Sequence, residues 1–149
     1  MDIKSEMPLL ARHAGNWVGR YTHTDANGVI LDVHASRLTC AFPDSGPHPY
    51  IQTNRYLWDN GKSEEFFFPA SYKEGRIWFD TDRIIGSAWE ADANTVLLHW
   101  EYKSIPGSSL YEMIQLSPCG NHRCRTWHWF ENNKIVKRTL ITEQREVSK

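Results

Sequence analysis

Glu112 lies in a run, Leu110 to Leu116, in which the alternate positions Leu110, Ile114 and Leu116 are apolar. Successive side chains of a strand point to opposite faces, so this carboxylate shares the apolar face. Arg138 stands the same way between Val136 and Leu140 near the end of the chain. A carboxylate and a guanidinium aimed into one interior must find partners, because a lone buried charge is strongly disfavoured. Two chemistries fit: a structural ion pair, or a polar anchor for the carboxylate or hydroxyl of a ligand. Arg55 raises the same question beside Ile51, Thr53 and Leu57, and Arg37 beside Leu31, Val33 and Ala35. Arginine suits an anchor because its planar fork grips a carboxylate with two hydrogen bonds.

Candidates for proton transfer are few. Tyr21 and His23 follow Trp17 on one alternate face, and His23 falls near the end of its strand, where it is either a general base or a rim residue. In the run Arg125 to Phe130, Trp127 and Trp129 share one face and His128 the other. The favoured register turns the tryptophans inward as an aromatic wall and leaves His128 outside. The other register makes His128 a base within the interior. Val96, Leu98, Trp100 and Tyr102 form one apolar face, which sends His99 and Glu101 to solvent. Cys119 and Cys124 bracket Gly120, Asn121, His122 and Arg123. A structural zinc site needs four ligands, commonly two close pairs. A single cluster with a Gly-Asn turn reads as a hairpin loop, so neither a metal nor a disulfide is expected. No nucleophile triad order, phosphate-binding glycine loop or HExxH motif occurs, and no cofactor is implied.

These side chains must be positioned by short segments rich in Val, Ile, Thr and aromatics, with turn chemistry between them. Trp17–Thr24 is followed by Asp25-Ala26-Asn27-Gly28, and Tyr50–Trp58 by Asp59-Asn60-Gly61, both hairpin signals because Asn-Gly supplies positive φ. Between and after them come Val29–Phe42, Ser63–Tyr72, Arg76–Asp80, Ile84–Glu90, Thr95–Lys103, Leu110–Leu116, Cys124–Glu131 and Ile135–Glu143. Only Ser5–Arg12 reads as helix. The pattern predicts an all-β, antiparallel up-and-down barrel of roughly eight to ten strands with a short N-terminal helix, in one domain spanning residues 1–149. Closure removes the sheet edges, and a barrel of this size holds one small ligand.

Composition narrows the function. Apolar residues make up 40% and charged residues 23% of 149 residues, an ordinary globular balance. A formal net charge of −1 with scattered Lys and Arg gives no footprint for nucleic acid. No window approaches a membrane span, no secretion signal is read at the N-terminus, and three cysteines make no disulfide framework, so a cytoplasmic location is expected. Seven Trp, six Tyr and six Phe stand out, since aromatics line pockets for flat or apolar ligands.

Within GNWVGRY, Gly15 and Trp17 form a Gly-x-Trp on the first strand after a short leader. This resembles the calycins, the lipocalin and fatty-acid-binding group. The stretch TNRYLWDNGKSEEFFF is similar to bacterial calycin-like domains of unassigned function. The resemblance implies that Trp17 plugs the closed end of the barrel and that the glycines permit sharp coiling of strand one. It implies an Arg on the last strand packed over Trp17, with Arg138 the natural counterpart and Arg145 the fallback. It also implies interior Arg55, Arg138 and a Tyr as ligand anchors. The expected ligand contacts are therefore Trp17, Arg37, Arg55, Trp100, Tyr102, Trp127, Trp129 and Arg138, with Glu112, His23, Tyr21 and His128 as catalytic candidates. Two functions fit: a carrier of a small apolar or aromatic molecule, and a cofactor-independent cyclase or isomerase of specialised metabolism. A monomer or homodimer suits both. The Phe66-Phe67-Phe68 run leaves room for a third, a protein-interaction module.

Overall fold

Turn chemistry cuts the chain into strands where the sequence places it. Asp25 Oδ1 accepts from the backbone N–H of Asn27 and Val29, at 2.9 and 3.0 Å, and Gly28 takes φ 88°. At the last hairpin Asn132 and Asn133 both adopt positive φ, 51° and 68°, the pairing a two-residue primed turn requires. The computed structural model describes residues 2–147. Two short helices, α1 (Ile3–Glu6) and α2 (Pro8–Ala11), replace the single expected one, because Pro8 has no N–H to continue α1. Then come β1 (Gly15–Asp25), β2 (Ile30–Ala41), β3 (Tyr50–Leu57), β4 (Ser63–Lys73), β5 (Arg76–Asp80), β6 (Ile84–Glu90), β7 (Thr95–Tyr102), β8 (Ser108–Leu116), β9 (His122–Glu131) and β10 (Lys134–Arg145). Each strand pairs antiparallel with the next, and β10 returns to β1, so the ten strands form a closed up-and-down barrel.

The glycines of β1 permit its coil. A Cβ on Gly19 would stand 2.3 Å from the Thr142 carbonyl oxygen, closer than any real contact. The backbones of β1 and β10 meet there because nothing projects between them.

One end of the barrel is sealed. Ile3, Met7, Leu9 and Leu10 press into it from the helices over the fully buried Trp17. The Trp17 indole donates to the His13 carbonyl at 2.9 Å. Two guanidiniums, of Arg123 and Arg145, each lie 4.5 Å from its ring centre. Arg145 also donates to the carbonyls of Arg12, Ala14 and Gly120, which ties the leader to the barrel. Arg145, not Arg138, is thus the arginine over the tryptophan. Arg138 is exposed and reaches only the Ala26 carbonyl.

A charge network spans the waist above Trp17. Arg123 and Arg125 both donate from Nε to Glu143 at 2.7 Å, and Arg125 Nη1 donates to Glu112 at 2.8 Å. The side chains of all four are 3% exposed or less, and their formal charges cancel. Glu112 is therefore buried as expected, but its partner is Arg125 of β9 rather than Arg138. Burial pushes the Glu143 carboxyl up, yet Arg125 and Arg123 overcome it and hold it at about 2. Burial dominates at Glu112 and raises it despite Arg125.

Three inward faces are polar, and there the alternation misleads. On β3 the interior carries a ladder: Tyr50 donates to Gln52, Gln52 to Asn54 and Asn54 to Tyr56, at 2.9 to 3.0 Å. Arg55 consequently faces out and pairs with Glu65 at 3.1 Å. On β2 the interior holds His34, Ser36, Leu38 and Cys40, so Arg37 faces out toward Glu146. On β10 it holds Lys137, Thr139, Ile141 and Glu143, leaving Leu140 53% exposed. The faces read from β7 and β8 agree with the structure. All three cysteines are free, Cys119 and Cys124 exposed at the β8–β9 hairpin.

Two expectations follow from the closed end. Replacing Arg125 by Leu strands Glu112, leaves Glu143 to Arg123 alone and should destabilise the fold by about 3–5 kcal/mol, whereas Arg55→Ala should cost about 1 kcal/mol or less. Equal effects in urea denaturation would contradict the assigned burial. His13 is the second case: its Nδ1 accepts from Arg123 at 3.0 Å, and burial, reinforced by Arg123, lowers its pKa from 6.5 to about 3. The unfolded chain binds a proton that the folded one refuses, so stability is complete above pH 6.5 and falls as pH drops from 6.5 toward 3. At about pH 5 this imidazole alone removes roughly 2 kcal/mol. Glu143 adds a further loss on the way from 4.5 to about 2. Denaturation midpoints at neutral and acidic pH should diverge in the wild type and less in His13→Gln; identical pH slopes would exclude the assignment.

Candidate functional site

The other end of the barrel is hollow. A cavity of about 160 Å³ opens there, floored by Tyr21 and Tyr56 and walled by aromatic rings from β4, β7 and β9. Alternation on β7 and β9 sets Trp100 and Tyr102 beside Trp127 and Trp129. Tyr102 and Trp129 stack at 5.7 Å with 4° between their planes, and Phe68 stacks on Trp100 at 5.6 Å. Phe66 and Phe68 face in and Phe67 is 59% exposed, so the Phe run is an ordinary strand alternation.

Polar groups gather on one side of this hollow. His34 of β2 stacks on Tyr21 at 4.9 Å, and its Nδ1 lies 2.8 Å from Asp32 Oδ2. The Trp58 indole N–H donates to the other Asp32 oxygen at 2.8 Å. Burial pushes Asp32 up, but the hydrogen bonds from His34 and Trp58 outweigh it and hold the carboxyl below its usual range. An ionised Asp32 can only accept, so Nδ1 of His34 carries the proton and Nε2 the lone pair. That Nε2 is buried and has no hydrogen-bond partner among the described residues. His23 of β1 stands 5.4 Å from His34, ring centre to ring centre. Burial, aided by Lys137 and His34, lowers its pKa to about 4, so it is neutral at physiological pH. Its Nδ1 lies 2.7 Å from Thr139 Oγ1, which already accepts the Trp129 indole N–H at 2.8 Å. With the threonine proton donated to Nδ1, the His23 proton sits on Nε2. In that tautomer the two neutral imidazoles differ in polarity: His34 offers a lone pair, His23 an N–H.

His23, Asp32 and His34 each bring one nitrogen or oxygen within 4.8 Å of the others, the only such set among the described residues. Both Asp32 oxygens are already engaged by His34 and Trp58, so the arrangement is complete as a hydrogen-bonded cluster.

Cations stand at the mouth. Lys137 Nζ lies 4.0 Å over Trp129, and the Arg83 guanidinium 4.6 Å over Phe66. Among the described residues neither forms an ion pair. Lys62, by contrast, is occupied, lying over Trp58 and pairing with Glu64 at 3.5 Å. Burial lowers the Lys137 pKa.

Of the residues read from the sequence, Trp100, Tyr102, Trp127, Trp129, Tyr21 and His23 line the cavity. Trp17 is sealed beneath the helices and Glu112 belongs to the waist. Tyr21 is committed as well, its hydroxyl accepting from Arg125. Arg37, Arg55, Arg138 and His128 lie outside the barrel. The residues missed are Asp32, His34, Trp58, Arg83 and Lys137. Asp32-Val33-His34 carried a signal, since residues two apart on a strand share a face and can hydrogen-bond. It was masked by Leu31, Val33 and Ala35, which make the opposite face look like the inner one.

The sequence matches no family model and no curated protein. Solved structures share its fold. A DUF3598-family protein of unknown function from Nostoc punctiforme aligns at 17% identity and a TM-score of 0.73, over 92% of this chain and 49% of that one. This chain thus spans about half the length of the Nostoc protein. The S-type phycobiliprotein lyase CPES from Guillardia theta aligns at 16% identity and 0.70, over 100% and 95%. Rv2717c from M. tuberculosis aligns at 12% and 0.65, over 95% and 98%. At such identities the likeness is one of fold, and the fold is calycin-like.

The tautomers are directly observable. Nitrogen-15 NMR of the imidazoles at neutral pH should show His34 protonated at Nδ1 and His23 at Nε2. An Nε2–H form of His34 would refute the site as described.

Proposed function

We propose that the protein binds one flat, mostly apolar molecule bearing an anionic group in the open half of its barrel. The observation that carries this reading is the pairing of stacked aromatic walls with two cations, Lys137 and Arg83, that form no ion pair among the described residues. A hollow lined by rings favours a planar ligand, because ring faces and edges add to the area term. A half-buried Lys137 and an exposed Arg83, neither in an ion pair among the described residues, favour a carboxylate or sulfonate at the mouth. The phycobiliprotein lyase from Guillardia theta shares this fold, which is in keeping with a ligand-holding barrel without assigning its substrate to this chain. Three free cysteines fit a reducing compartment such as the cytoplasm. No helix among the described residues is long and apolar enough to cross a membrane. The protein acts as a monomer or homodimer.

Carriage alone would satisfy this description. A second reading, turnover by a cofactor-independent isomerase or cyclase, is supported by the Asp32–His34 pair within the same cavity. The catalytic roles read from sequence narrow with it. Glu112 and Tyr21 are held by Arg125 and His128 is outside, which leaves His23 and adds His34.

Two fluorescent probes of matched shape test the binding reading: 1-anilinonaphthalene-8-sulfonate and its uncharged analogue N-phenyl-1-naphthylamine. Both should bind at one per chain and quench tryptophan emission, the sulfonate about tenfold more tightly. Lys137→Ala and Arg83→Ala should erase that preference while leaving the neutral probe unaffected. Absence of saturable binding by either probe would end this reading.

A further inference from the structure

Of the buried polar atoms without a hydrogen-bond partner among the described residues, His34 Nε2, Trp100 Nε1 and Trp127 Nε1 belong to residues that line this hollow, and of these three only the imidazole nitrogen can accept. His34 Nε2 is a buried acceptor without a partner, a costly state that native proteins keep mainly where something else supplies the missing donor. Its other nitrogen is fixed by Asp32, whose carboxylate is held in turn by Trp58. This is the arrangement that readies an imidazole to take a proton: a carboxylate sets the tautomer and stabilises the imidazolium once it forms. The neighbouring His23, 5.4 Å away between ring centres, has the opposite polarity in the tautomer that accepts the Thr139 proton. Lys137 adds a positive charge on the same side. A base, a hydrogen-bond donor and a cation thus converge on one wall of an apolar hollow.

We propose that this wall catalyses proton transfer at a carbon next to a carbonyl, with His34 as general base, His23 as donor to the developing oxyanion and Asp32 as positioning residue. The inference rests on the binding reading. His34 Nε2 takes the α-proton as the C–H bond breaks. That electron pair forms the carbon–carbon double bond of an enolate, and the carbonyl π pair moves onto oxygen, facing His23 Nε2–H and the Lys137 ammonium. The His34 imidazolium, paired with Asp32, then returns the proton. Return to the α-carbon gives exchange; return to the γ-carbon of an unsaturated ketone moves the double bond and completes an isomerisation. The base is regenerated, no electrons leave the substrate, and no co-reactant is needed. The substrate class is a flat ketone or enone with acidic α-hydrogens.

2-Tetralone, a planar ketone with acidic benzylic hydrogens, is the probe. Deuterium incorporation at its C1 position, followed by NMR in D₂O with the intact protein, should be accelerated above an imidazole blank. His34→Gln should lose about 100-fold. The near-isosteric Asp32→Asn should lose about tenfold or more while its tetralone dissociation constant stays within about twofold, a split that a merely structural role would not produce. EDTA should change nothing. Tetralone that binds and displaces the naphthalene sulfonate, yet exchanges at the blank rate, would overturn this proposal and leave the binding reading standing. Exchange abolished by EDTA and restored by zinc would overturn it in favour of a metal held by His23, Asp32 and His34. Failure of tetralone and both naphthalene probes to bind would remove the two readings together.

Discussion

Two arginines and two glutamates at the waist govern the rest of the barrel. Each is stripped of water, so each must be satisfied by another, and only one registration of β8, β9 and β10 brings Glu112, Arg125, Arg123 and Glu143 into contact. A one-residue slip of any of these strands would turn a charge outward and leave its partner buried alone. The network is therefore less a source of net stability than a penalty on every alternative pairing. It also divides the molecule. Below it the chain packs solid around Trp17; above it the Tyr21 hydroxyl, accepting from Arg125, forms the floor of the hollow.

The two halves use aromatic residues in different ways. In the sealed half, Trp17 is a filler whose polar edge is satisfied by a backbone carbonyl and whose ring carries two guanidiniums. In the open half the rings stack on one another and leave space between the walls. Trp129 joins the functions: it stacks on Tyr102, lies under Lys137 and donates to Thr139, which orients His23. The His23 imidazole is thus held by a neighbouring strand, and the His34 imidazole by Asp32 of its own strand.

The strand order and nearly every strand boundary were legible in the sequence, because turn chemistry is local: Asp25 to Gly28 builds its turn from its own side chain. The inner faces were legible on β7 and β8, where apolar and polar residues alternate plainly. They were not legible on β2, β3 and β10. There the interior carries His34, Ser36, Gln52, Asn54, Lys137 and Glu143, while Leu31, Leu57 and Leu140 lie on the surface. Hydrophobic alternation assumes an apolar interior, and it inverts where the interior is polar by function. Arg37, Arg55 and Arg138 followed from that inversion, and so did the omission of Asp32 and His34.

The sequence by itself determined a closed antiparallel barrel with an aromatic interior, since hairpin signals and strand composition act over a few residues each; its tryptophan-plugged end followed from the resemblance that Gly-x-Trp carries. Only the tertiary structure decided which polar residues share the cavity. Asp32 with Trp58, Lys137 with Trp129, and Arg125 with Glu112 and Glu143 are joined across neighbouring strands, while His23 with Thr139 and Tyr21 with Arg125 are joined across strands far apart in the chain. A buried polar side chain is tolerated for the partner it meets, and closure of the barrel selects that partner.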